Sequence, residues 1–101
     1  VPFFIYILYS PSSNIYYIGH TEDVSRRLEK HNNPQQTKFT SKHLPWELKC
    51  SFEIADTRSL AMLAEKHIKR QKSKKYIESL ILKEAERISL QKKYQKGSSA
   101  G

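Results

Sequence analysis

The sequence predicts an α+β fold, a small three-stranded antiparallel sheet flanked by helices. Two observations carry this. Runs rich in β-branched and aromatic residues occupy 3–9, 15–19 and 46–54, and a polar turn joins the first two. Capped segments with helical apolar spacing follow the second run and the third, giving the order strand, strand, helix, strand, helix, helix. A chain of 101 residues accommodates one compact domain of this kind.

Residues 3–9 are apolar on both alternating faces, the pattern of a central strand covered on both sides. Ser10-Pro11-Ser12-Ser13-Asn14 has turn composition, and residues 15–19 return as the second strand of a hairpin. Thr21 is the expected N-cap of the first helix, with Glu22 and Asp23 favourably placed at its positive end. That helix should stop at Asn32-Asn33-Pro34. A polar, basic loop spans 35–45, and the third strand 46–54. Asp56 or Thr57 caps the second helix, which reaches about Gln71. Ser73 caps a last helix with its apolar positions at Ile77, Leu80, Ile81, Ala85 and Ile88. We read 1–82 as the main domain, 83–96 as a C-terminal helical extension and 97–101 as a flexible tail.

Lys and Arg outnumber Asp and Glu 18 to 10, a net charge of +8. Such a balance suits a polyanionic partner, nucleic acid before an anionic membrane surface. No exposed amphipathic stretch recommends the membrane. Residues 1–9 are too short to span a bilayer and lack the features of a signal peptide. The lone Cys50 forms no intramolecular disulfide and offers no zinc spacing, so the expected location is the cytoplasm.

Candidate functional residues emerge from geometry. If the turn takes two or four residues, Ser10 faces Ile15, Leu8 faces Tyr17 and Tyr6 faces Gly19. Tyr6 and Tyr17 then share a face as diagonal neighbours, roughly 7–8 Å apart. Gly19 leaves a gap beside Tyr6, and glycine inside a strand often marks close approach by a ligand or backbone. On periodicity alone, ordinary strand packing is the better account of two tyrosines, and the glycine shifts the balance back toward a site. On the first helix Val24, Arg27, Leu28 and His31 form the face toward the sheet. Arg27 there either meets an anion or snorkels to water, and His31 alone suits a structural role. On the second helix Leu60, Leu63, Ala64, His67 and Ile68 form the apolar stripe. Glu65 sits on its shoulder, within reach of an i,i+4 pair with Lys69. Trp46 suits core packing better than stacking on a base.

Taken together, these residues resemble the GIY-YIG nuclease family. Tyr17-Ile18-Gly19 is its second half-motif. Ile5-Tyr6 is the remainder of its first, with Phe4 where the family name has glycine. Ten residues separate the tyrosines, Arg27 falls eight after Gly19, His31 four later, and Glu65 lies on a later helix. Thr21, Thr40, Pro45, Glu47-Leu48 and the helix around Glu65 continue the pattern of small stand-alone members, relatives of excision-repair incision domains and intron-encoded homing endonucleases. The resemblance covers about residues 3 to 82. No asparagine follows Asn33, so Ser73, Lys74 or Lys75 are the candidates for the polar residue the family carries after the glutamate.

The resemblance implies a metal-dependent DNA endonuclease with the GIY-YIG fold. Tyr6 would act as general base or water-orienting phenol, Tyr17 would bond the phosphate or nucleophile, and Arg27 would clamp the phosphate. His31 would share in proton transfer. Glu65 would hold one Mg²⁺ or Mn²⁺; a single carboxylate agrees better with one ion than with a two-metal site. Gly19, His20, Lys38, Lys42, Lys69, Lys74 and Lys75 are the expected DNA contacts, on substrates that include branched or damaged DNA. No small-molecule cofactor is implied. The alternative is a nucleic-acid-binding module of the same fold that cuts weakly or not at all.

Overall fold

In the computed structural model, which describes residues 1–33, 35 and 41–94, the apolar run at the start forms β1 (Phe3–Ser10). It lies between β2 (Ile15–Thr21) and β3 (Glu47–Ala55) in an antiparallel sheet of order β2-β1-β3. The four-residue turn gives the expected register: Ser10 pairs with Ile15, Leu8 with Tyr17 and Tyr6 with Gly19. Asn14 closes the turn at φ 54°, a left-handed conformation asparagine tolerates well.

Four helices among the described residues cover the sheet: α1 (Val24–His31), α2 (Arg58–Arg70), α3 (Lys74–Leu82) and α4 (Glu84–Tyr94). β1 is buried on both sides because each face has its own cluster. Ile5, Ile7, Ile18 and Phe52 pack with Ala61, Ala64 and Ile68 of α2, Leu80 of α3 and Leu90 of α4. Tyr6, Leu8 and Trp46 pack on the opposite side with Tyr17, Val24 and Leu28. Trp46 is only 2% exposed, a core residue as expected, and its backbone is clamped by the α1 C-cap. Asn32 Oδ1 accepts from Trp46 N at 2.7 Å, and Asn32 Nδ2 donates to Trp46 O at 3.1 Å.

Several local expectations shift. Strand pairing continues through His20 and Thr21, so Thr21 is not the cap of α1. Asp23 takes that place, its side chain accepting from Arg26 N at 3.1 Å, while Thr21 Oγ1 accepts from Asp23 N at 3.1 Å. The third strand begins one residue later than expected, at Glu47. The last helix is two helices, because Lys83 is extended between α3 and α4. Leu63 is exposed and Ala61 is buried in its stead: α2 approaches the sheet through its small residues. Ala85 and Ile88 are exposed too, and Leu90 is the residue of α4 that enters the core. Thr57 and Ser73 cap α2 and α3 as expected. No described helix is long and apolar enough to cross a membrane.

Candidate active site

The site grows from the hairpin register. Tyr6 and Gly19 are opposite each other, so the phenol ring of Tyr6 folds across the glycine. A Cβ at position 19 would fall on the Tyr6 phenol oxygen and stand 2.5 Å from its Cζ. The gap that glycine was expected to leave is thus filled by the ring itself. Tyr17, two residues back on β2, stacks beside it with centroids 6.4 Å apart and planes inclined by 20°.

α1 brings two nitrogen groups to the phenol. Arg27 Nε donates to its oxygen at 3.4 Å, and His31 Nε2 lies 3.0 Å away. In the tautomer that carries its hydrogen on Nδ1, His31 Nε2 accepts the phenol hydrogen while Arg27 donates to the same oxygen. Protonation agrees. Burial pushes the Tyr6 phenol up to about 12, more than Arg27 pulls it down. Burial, then the charge of Arg27, pushes His31 down to about 4. Near neutral pH the pair is therefore a protonated phenol on a neutral imidazole. Tyr17 and Trp46 hold His31 edge-on, with centroids 4.4 and 6.4 Å away.

α2 brings the carboxylate. Glu65 Oε1 meets His20 Nδ1 at 2.6 Å, and Oε2 meets Lys69 Nζ at 2.6 Å. Burial alone would raise Glu65, but the bonds from Lys69 and His20 outweigh it and hold the carboxyl below its ordinary value. Its charge acts on both Tyr6 and Arg27, which ties the three together electrostatically. Lys69 Nζ also lies 5.9 Å from the Tyr17 ring centre. Tyr6, Tyr17, Arg27 and His31 thus meet on one face of the sheet, while Glu65, on the helix of the other face, is linked to them through its charge and through Lys69 beside the Tyr17 ring.

Residues 2–77 match the GIY-YIG catalytic domain. The chain belongs to the GIY-YIG family. It is 37% identical over 78 residues to a UPF0213 protein of Bacillus velezensis, covering 74% of this chain and 77% of that one. A UPF0213 protein of Staphylococcus saprophyticus is 38% identical over 77 residues, 73% of this chain and 92% of its own. One from Haloquadratum walsbyi is 38% identical over 66 residues, 65% of this chain and 72% of its own. No solved structure matches the chain.

Other residues singled out in the sequence lie around this GIY-YIG centre or away from it. His20 is turned onto Glu65. Lys74 reaches across to the β1–β2 turn, donating to Asn14 Oδ1 at 2.9 Å. Lys75 is exposed on the first turn of α3, where Ser73 is engaged as cap by Tyr76 N. Lys42 is exposed in a segment fastened to the hairpin, where Ser10 Oγ donates to His43 O at 2.7 Å. Lys38 and Thr40 lie outside the described residues, as does 97–101. Cys50 is half-buried, and burial raises its thiol to about 11, an inert state.

Arg26, Lys30 and Arg58 are not among the residues singled out in the sequence. With Arg27 and His20 they line an open depression of about 320 Å³, beside Glu22 and Asp23. The signal was available in part. Arg26 and Lys30 are four apart, hence on one face of α1. That Arg58, at the start of α2, joins them depends on tertiary packing.

Proposed function

We propose that this protein is a metal-dependent endonuclease that hydrolyses DNA phosphodiester bonds. The observation that carries the reading is the Tyr6 phenol, held between Arg27 and His31 within the field of Glu65. As a water attacks phosphorus, its proton passes to the Tyr6 oxygen while the Tyr6 proton passes to His31 Nε2. The relay lets a phenol that burial keeps protonated act without ionising first. His31 is neutral and so open to the proton, although burial and Arg27 make it a weak base that accepts only as the phenol takes up the water's proton. Arg27 sits on the wall of the basic depression, where its guanidinium meets the non-bridging phosphate oxygens, the task its planar fork suits. Tyr17 orients the phosphate or the water.

Glu65 suits a divalent ion such as Mg²⁺ or Mn²⁺. It is ionised, partly buried between its helix and β2, and already draws two nitrogen donors to its two oxygens, so the position favours positive charge. When bound there, such an ion supplies charge stabilisation to the departing oxygen. Arg26, Lys30 and Arg58 extend the basic surface beyond Arg27. They track the DNA backbone, branched or damaged DNA included, through contacts that position without specifying sequence.

A second reading, a DNA-binding module that cuts weakly, is favoured by one observation: Ser73 and Lys74, candidates for the missing polar residue, are engaged as helix cap and turn anchor. Incubation with supercoiled and branched DNA separates the two. The nuclease nicks with Mg²⁺ or Mn²⁺ and stops with EDTA, and Glu65→Ala abolishes nicking while binding stays within about threefold. Metal-independent binding without nicking, at any enzyme ratio, would establish the second.

A further inference from the structure

Glu65 does not stand alone at its position. Its Oε1 lies 2.6 Å from His20 Nδ1, and the two side chains are 19% and 17% exposed. Both come from packed elements. His20 is on β2, paired with Ile5 of the central strand, and Glu65 is on α2, flanked by the buried Ala61 and Ile68. His20 also lines the depression that holds Arg27. A carboxylate oxygen and an imidazole nitrogen therefore face each other beside the basic depression that His20 lines. Two adjacent donors on one octahedral ion stand about 3 Å apart. Only a few tenths of an ångström of opening converts the observed contact into a pair of ligands.

We propose that His20 Nδ1 joins Glu65 Oε1 in holding the divalent ion, so that the site is a mixed nitrogen–oxygen site and not a lone carboxylate. This rests on the reading of Glu65 as metal ligand. In the ion-free protein His20 donates its Nδ1 hydrogen to Glu65. Coordination frees the Nδ1 lone pair: the hydrogen leaves to solvent and another enters at Nε2, so a neutral imidazole stays neutral. An imidazolium releases one proton to solvent. Lys69 stays on Oε2. Among the described residues no third His, Cys, Asp or Glu completes a site with them, so water and phosphate oxygens fill the remaining positions. The consequence is selectivity. Mg²⁺ favours oxygen donors and holds its water tightly, whereas Mn²⁺ and Co²⁺ accept imidazole more readily. His20 therefore favours Mn²⁺ beyond what one carboxylate would.

Electron spin-echo modulation on the Mn²⁺-loaded protein reads the ligand directly. The wild type should show coupling to a directly bound nitrogen, changing to the ¹⁵N pattern when histidine is labelled, a test that needs no substitution. His20→Gln keeps a hydrogen-bond donor for Glu65, and circular dichroism checks its fold. It should lose the coupling and bind Mn²⁺ about tenfold or more weakly by calorimetry, the scale on which even outer-shell partners act. Its Mg²⁺ affinity should move less than about threefold. Mn²⁺ bound with no nitrogen coupling, or equal losses for both ions, overturns the proposal and leaves His20 a residue that merely orients Glu65. If neither wild type nor Glu65→Ala binds Mn²⁺ at millimolar concentration, the Glu65 site itself is wrong.

Discussion

A methyl group at position 19 would collide with the Tyr6 phenol, and the phenol has little room to retreat. His31 stands 3.0 Å from its oxygen, Tyr17 stacks beside its ring, and the residue is 1% exposed. Gly19→Ala should therefore destabilise the fold by about 1–3 kcal/mol, the range of overpacked sites, and displace the phenol from Arg27 and His31. Urea unfolding checks the first effect. The cause is separable because the clash needs both partners: Gly19→Ala added to Tyr6→Ala should cost much less than Gly19→Ala alone. An equal cost in both backgrounds would place the strain elsewhere. At this scale much was legible. The hairpin register alone put Tyr6 opposite Gly19 and diagonal to Tyr17. The contact between His20 and Glu65 was not, since it joins residues 45 apart that meet only once α2 has docked.

The start of α1 depends on one short side chain. Asp23 accepts from Arg26 N and occupies the capping position that composition assigned to Thr21. Asp23→Ala should destabilise by about 1 kcal/mol, the usual loss of an N-cap, whereas Thr21→Ala should cost less because it leaves the cap in place. Thermal melts of the two variants rank them, and the opposite order would return the cap to Thr21. The displacement has a physical cause: strand pairing held His20 and Thr21 against β1, which local composition does not encode. The same limit explains α2. Leu63 satisfies a 3.6-residue stripe as well as Ala61 does, yet a helix lying close on a sheet buries its smallest residues and leaves larger ones at the flank. Lys83 is harder still to foresee. Its extended backbone splits a continuous helical pattern, and the turn that follows buries Leu90, not Ile88. The capping residues Thr57 and Ser73 were legible because a hydroxyl before a helical run does the same job wherever the helix later packs.

Over the whole molecule the net charge is +8, and the cations of α1 shape the pH response of the groups packed beside them. His31 is the most informative group. Burial and Arg27 depress it to about 4 in the folded protein, against an ordinary value near 6.5. Between those two values the unfolded chain holds a proton that the folded chain does not, so stability is complete above about 6.5 and is lost as the pH falls toward about 4. At about 1.4 kcal/mol per unit of pH the full loss is at most about 3.5 kcal/mol. Residual water at a side chain that is 7% exposed reduces it. Carboxylates titrate in the lower part of the same range, so the comparison must be internal. His31→Gln keeps an acceptor for the Tyr6 hydrogen but cannot take up a proton. Chemical denaturation of both proteins at pH 4.5, 5.5 and 6.5 should give the wild type the steeper fall, its advantage over the variant shrinking toward acid. Parallel curves would mean that His31 is protonated as readily in the fold as outside it, and the neutral acceptor that the Tyr6 relay needs would then be absent below about pH 6.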